Sequence, residues 1–184
     1  STGWKNWGDY QIGSGYTGHY ELGNGQYDLP YGLLVNYIRF SGPKGLNSKD
    51  GEILWRVGQA AAYHLMDLDL VKFRPFHAKY NGMVHRKGEM TIAKAHVESE
   101  PIVPQGFSYR SLLLMHHLTG DSWFEECARM TIEGFTNYTI PSRLDWASHG
   151  DRDSAWILLG LCEGYRHFGE KRYLDQAGKV VDRL

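Results

Sequence analysis

Gln105–Asn137 reads QGFSYRSLLLMHHLTGDSWFEECARMTIEGFTN, and its two halves carry different hydrophobic patterns. From Phe107 to Leu118 the apolar residues (Phe107, Leu112, Leu113, Leu114, Met115, Leu118) fall on almost every side of a helical wheel. That predicts a helix buried on most of its surface. In the second half Phe124, Cys127, Ala128, Ile132, Phe135 and Tyr138 recur at three- and four-residue steps. That predicts an amphipathic helix with one buried stripe. Thr119-Gly120-Asp121 separates the two: Gly120 can end a helix in the left-handed conformation without a Cβ penalty, and Asp121 can cap the next. The stretch therefore reads as a helical hairpin, a buried inner helix followed by an amphipathic outer one.

The same pattern recurs on both sides. Ser154–Leu184 has an apolar-all-round segment from Trp156 to Phe168, then Gly169-Glu170, then Tyr173, Ala177, Val180, Val181 and Leu184 on one face. Tyr27–Asp67 gives YDLPYGLLVNYIRFSG, a longer link through Pro43 and Gly45, and ILWRVGQAAAYHLMD. The turn glycines are Gly42, Gly120 and Gly169, and the wider first spacing is taken up by an irregular run from Val71 to Pro104. Such units cannot bury their apolar faces alone, so they stack on one another. The expectation is an all-α chain of helical hairpins over 27–70, 105–138 and 152–184, preceded by an aromatic, glycine-rich loop over 1–26.

A chain of 184 residues with 42% hydrophobic and 22% charged content is globular in composition and long enough for one sizeable core. Its formal charge of −1 gives no electrostatic footprint for nucleic acid or an anionic membrane. No apolar run approaches the ~18–20 residues of a transmembrane helix, and no signal-peptide pattern opens the sequence. The opening lies in a Trp/Gly-rich segment and the last residues continue a helical pattern, so the sequence reads as part of a longer protein. Cys127 and Cys162 sit on apolar positions of two different helices and read as buried free thiols; their spacing supports neither a disulfide framework nor a metal. No motif calls for a cofactor. The compartment is left open, a secreted or periplasmic setting and the cytoplasm both fitting.

Residues that could carry chemistry lie mostly between the helices. In the 1–26 loop, Trp4, Trp7, Tyr10, Tyr16 and Tyr20 either cover the core or form a wall on which sugar C–H faces stack, with Asp9 and Glu21 among them. Tyr27 and Asp28 stand at the head of the first hairpin, Asp28 as a cap with Pro30 in the first turn or as a substrate contact. His64, Asp67 and Asp69 close its outer helix, as hairpin and solvent groups or as ligand contacts. The 71–104 run holds His77, His85, Arg86, His96 and Glu98, in histidine spacings that match no compact zinc pattern. A connection of that length is an active-site loop or an ordinary surface one. Pro141–Asp153, PSRLDWASHGDRD, places Trp146, His149, Asp151, Arg152 and Asp153 just before a buried helix. Asp151 or Asp153 can cap that helix, while His149 with Arg152 is the functional pairing.

Stacking the hairpins side by side would put the segments before each inner helix on one rim. Asp28 and Tyr31, Gln105 and Tyr109, and His149 and Arg152 would then meet there. Tyr31 and Tyr109 stand equally far ahead of their turn glycines. A rim rich in Trp, Tyr, His, Arg and Asp suits a carbohydrate.

Several stretches, in order, resemble a known family. They are Asn6-Trp7-Gly8-Asp9, Tyr27-Asp28 before Tyr31-Gly32-Leu33-Leu34, and Ala62-Tyr63-His64 running to Asp67-Leu68-Asp69. His85 with Gly88, Leu118-Thr119-Gly120-Asp121, and Arg152 four residues ahead of Trp156 complete the set. Together they resemble the catalytic toroid of exo-rhamnogalacturonan lyase-like proteins, a polysaccharide lyase group, and more loosely the six-hairpin glycosidases, including β-L-arabinofuranosidases. Each motif is short, and the Leu-Thr-Gly-Asp turn is common to the whole six-hairpin class.

The resemblance implies an (α/α)6 toroid, of which this chain would supply roughly three hairpins, with a funnel-shaped site at the inner-helix amino ends. It also implies an oligo- or polysaccharide substrate, and the remainder of a longer chain or self-association to cover the exposed hairpin faces. One departure concerns the second inner helix, where the family pattern expects a His and Gln105-Gly106-Phe107-Ser108 stands. A lyase must neutralise the uronate carboxylate, remove the C5 proton and protonate the leaving oxygen. Arg152 or Arg86 suits the first task, and His85, His149 or Tyr109 the proton transfers. Trp4, Trp7, Asp9, Tyr27, Asp28 and Tyr31 would contact substrate, joined by His64, Asp69, Arg86, Trp146, Asp151 and Trp156. A glycoside hydrolase would instead pair two carboxylates, about 5–5.5 Å apart for retention or ~6.5–9.5 Å for inversion, drawn from Asp9, Glu21, Asp28, Asp69 and Asp151. A non-catalytic glycan-binding module is the third reading.

Overall fold

The fold is taken from a computed structural model that describes residues 28–41, 49–70, 72, 82, 109–139 and 150–182, the side chains at 68–69, 138–139 and 150–153 excepted. These residues are about 89% helical, with six α-helices and no β-strand among them. The chain is all-α. In order the helices are α1 (Leu29–Phe40), α2 (Lys49–His64), α3 (Tyr109–Thr119), α4 (Ser122–Gly134), α5 (Gly150–Phe168) and α6 (Lys171–Val181). Successive helices pack in pairs, α1 on α2, α3 on α4 and α5 on α6, while α3 also meets α1 and α2, and α4 meets α5.

The turn chemistry of the middle hairpin explains its tightness. Gly120 takes φ +75°, which lets its amide donate to the His116 carbonyl at 2.8 Å. Asp121 then adopts an extended backbone and accepts the Trp123 amide at 2.9 Å, capping α4. The His116 ring bonds back to the Asp121 carbonyl at 3.1 Å. At the third turn Gly169 is again left-handed, yet Glu170 makes no cap bond. Its carboxylate instead pairs with Arg129 on α4 and with Arg172, at 2.6 Å. Arg172 also reaches Glu133 of α4 at 2.5 Å, and Arg129 lies 3.8 Å over the Phe168 ring. This network ties the third hairpin to the second, though solvent screens its pairs.

Both α2 and α4 end in a wider π-helical turn, Leu65–Asp69 and Phe135–Thr139. A π turn inserts an extra residue and re-aims the side chains that follow. Here it delivers Leu65, Met66, Leu70 and Phe135 to the core. That core is continuous across the hairpins: Leu34 from α1, Leu112 and Met115 from α3, Phe124, Cys127 and Ile132 from α4, Leu161 from α5, and Tyr173 and Val180 from α6. α5 approaches the Phe135 turn closely through Gly160, where a Cβ would stand 2.5 Å from the Phe135 ring.

Two expectations about burial change. Both cysteines are free, but only Cys127 is buried, its thiol pushed up to about 11 by desolvation, while Cys162 is exposed. The helix from Trp156 to Phe168 is not covered all round either. Among the described residues it packs mainly on α4, the π turn after α4, and α6, and touches α3 through Gly160 and His167, while Ala155, Cys162 and Tyr165 are exposed. On the first hairpin Ile38, Phe40, Ile53 and Val57 are exposed as well.

Candidate functional site

The site begins at Asp28. Its backbone is left-handed, φ 53° and ψ 53°, the one non-glycine positive φ among the described residues. Its side chain is buried. Oδ1 accepts the Tyr31 amide at 3.4 Å and so caps α1. Oδ2 accepts the Ser111 amide at 3.0 Å, in the first turn of α3, and the Ser111 hydroxyl bonds to the same carboxylate. One buried group thus closes the amino ends of α1 and α3.

With those ends held together, the side chains just above them meet. Arg110 Nη2 donates to Tyr31 Oη at 2.9 Å, and the guanidinium carbon lies 4.1 Å over the Tyr31 ring. From this pair a groove of about 360 Å³ runs past Leu113 and Leu114 to His117 on α3, with Glu163, Arg166 and His167 of α5 on the far wall. Its volume falls within the range of small-ligand clefts. Arg166 lies 3.3 Å from Glu163, so the one carboxylate among the described groove residues already has a cation beside it. Arg110 faces a phenol rather than a carboxylate within the groove.

Electrostatics separate the two ends. Burial pushes the Asp28 carboxyl up to about 7, against the pull of the Ser111 and Tyr31 bonds and of Arg110. At the other end His167 Nε2 sits 2.6 Å from Glu125 Oε1, and this bond holds the Glu125 carboxyl below its usual range. The His116, His117 and His167 rings gather there at centroid separations of 5.2 to 6.2 Å. Among the described residues no group of His, Cys, Asp and Glu has the geometry to hold a metal ion.

The raised Asp28 carboxyl makes a pH prediction. The folded-state pKa lies above the unfolded value, so folding favours the neutral acid. The stabilisation is complete below pH ~4 and is lost as pH rises through about 7. It amounts to ~4 kcal/mol at most, at about 1.4 kcal/mol per unit. Melting temperature followed from pH 4 to 8 should therefore fall more steeply for the wild type than for Asp28→Asn, whose side chain does not titrate. Parallel curves would mean that Asp28 ionises freely in the folded protein.

The sequence-derived candidates divide. Tyr31 lines the groove; Asp28 lies beneath it as a cap rather than within it. Tyr109 is a correction. Its ring is fully buried, edge-on to Phe135 at 6.0 Å, and its hydroxyl has no partner among the described residues. Burial, with Asp28 nearby, pushes the phenol well above its usual range. Successive helical residues point about 100° apart, so when Arg110 faces the groove Tyr109 turns into the core. It does not line the groove beside Tyr31. His64 is half-buried at the end of α2, its ring pushed down by desolvation, and Trp156 is half-buried in α5; neither lines the groove. Asp151 and Arg152 belong to the first turn of α5 and Asp69 to the π turn after α2, with side chains outside those described. Trp4, Trp7, Asp9, Tyr27, His85, Arg86, Trp146 and His149 lie outside the described residues.

Arg110, His117, Glu163, Arg166 and His167 were not among the sequence-derived candidates. The available signal was charge and imidazole inside helices that otherwise read as buried, since such residues sit on a core helix only where one side is open.

No protein-family model matches this chain, and no curated protein or solved structure does. The functional reading rests on the groove.

Proposed function

We propose that the chain is part of a carbohydrate-active enzyme of the (α/α)6 toroid type that acts on a uronate-containing polysaccharide, by β-elimination. The observation that carries this reading is the Arg110–Tyr31 pair at the head of the groove. A guanidinium stacked on an aromatic ring keeps a planar fork of further donors, a geometry matched to a carboxylate. Leu113 and Leu114 give the groove floor an apolar surface for the C–H face of a sugar ring. In elimination Arg110 would neutralise the uronate carboxylate, a task the sequence had offered only to Arg152 and Arg86. His117 joins His85 and His149 as candidate for proton transfer, and Tyr109 leaves that set because its hydroxyl is sealed in the core. Hydrolysis is less well supported: it needs two carboxylates facing one bond, and among the described residues the groove holds one, Glu163, already beside Arg166.

Calorimetric titration with oligogalacturonides tests the groove. Arg110→Ala should weaken binding by about 10- to 100-fold, the loss of a charge-assisted hydrogen-bond pair, and leave binding of a neutral xylo-oligosaccharide unchanged. Arg110→Lys should recover little, because an ammonium lacks the planar fork. Unchanged oligogalacturonide affinity in Arg110→Ala would overturn this assignment.

A further inference from the structure

We propose that Asp28 is the positioning residue of the groove: its carboxylate, shared between the amino ends of α1 and α3, sets Arg110 against Tyr31 and so presents the guanidinium to an anionic ligand. The ligand part of this proposal rests on the reading above; the positioning part rests on geometry alone.

An ordinary N-cap satisfies one helix with one oxygen, and Ser, Thr or Asn serves equally well. Asp28 uses both oxygens, on helices whose partner residues are 83 positions apart in sequence. It does so from a left-handed backbone that side chains rarely adopt, and without exposure to water. Each of these is unfavourable for a simple cap. All follow if the carboxylate must lie between two helix ends.

The consequence for the groove is short-ranged. Oδ1 holds the backbone of Tyr31 itself. Oδ2 holds the backbone of Ser111, the residue after Arg110. The two members of the ligand-facing pair are thus fixed by the two oxygens of one group. The groups facing that carboxylate are Tyr31 on α1 and Tyr109, Arg110 and Ser111 on α3.

Asp28→Asn separates positioning from simple capping. The amide keeps one acceptor oxygen and tolerates the left-handed backbone, so it can cap one helix but not both. Two readouts apply: guanidinium NMR of Arg110, where slow rotation reports a held side chain, and oligogalacturonide affinity. Measured at pH 8, where the Asp28 carboxyl is ionised and offers two acceptor oxygens, Asp28→Asn should release the restriction on the Arg110 signal and lower affinity about 10-fold, as for loss of one charge-assisted contact. Adding Arg110→Ala should then produce little further loss, because the two changes remove one arrangement. An Arg110 signal that stays restricted, or losses that simply add, would overturn the proposal. If the wild type binds no oligogalacturonide, the functional reading falls and the NMR readout still decides the clamp. Should Asp28→Asn fail to fold, the wild type provides the test: the Arg110 guanidinium signal should shift as the Asp28 carboxyl ionises, and a guanidinium signal that does not respond would overturn it.

Discussion

Phe135→Ala is expected to destabilise the protein by about 3–5 kcal/mol, the upper range for truncating a buried aromatic. Phe135 is fully buried and stands where three elements meet: the π turn that follows α4, Tyr109 of α3 edge-on at 88°, and Gly160 of α5. Removing the ring leaves a cavity that its neighbours are poorly placed to fill. Tyr109 cannot lean in freely, because the next two residues are held by Tyr31 and Asp28. α5 can approach only by moving as a helix. Urea unfolding should show the midpoint falling with an unchanged slope, the sign of lost stability rather than altered compactness. A loss below about 1 kcal/mol would mean that the site collapses easily and that this junction does not join the hairpins.

Gly82→Ala should be nearly as damaging, for a different reason. Gly82 has φ +84°, and a Cβ there would stand 1.7 Å from the Met130 carbonyl oxygen of α4. Helix backbone cannot rotate aside as a side chain can. The left-handed backbone costs about 1–2 kcal/mol and the collision about 1–3 kcal/mol, so the total is ~2–5 kcal/mol. Gly120→Ala is the matched control. Its φ of +75° is similar, but nothing lies within 4 Å of its added Cβ, so only the conformational cost of about 1–2 kcal/mol applies. Equal losses in melting experiments on the two variants would show that Gly82 is not seated on α4.

These positions also mark how far the sequence could be read. Gly120 and Asp121 were legible because a helix stop and a helix start have local chemistry. Gly169-Glu170 looked the same in sequence but differs in structure. Glu170 gives its carboxylate to Arg129, on another hairpin, and no local pattern announces such a partner. Asp28 was legible as the cap of α1, and its second helix was not, since Ser111 approaches it only in the folded chain. Tyr31 and Tyr109 looked equivalent by their distance to a turn glycine. Which residue of a largely apolar helix faces the open side depends on helix phase, and the phase put Arg110 there instead. The π turns were invisible for a related reason: an apolar stripe through Phe135 satisfies α-helical spacing, and only packing against Tyr109 and α5 reveals the wider turn.

Ultraviolet absorbance of the unsaturated uronate product, followed while the protein digests rhamnogalacturonan, tests the central claim most directly. The account predicts a rise with the wild type that is slower by about 10-fold or more in Arg110→Ala, the scale expected for loss of one charge-stabilising donor. Reducing ends released without that absorbance, no product of either kind, or a rise undiminished in Arg110→Ala would contradict it.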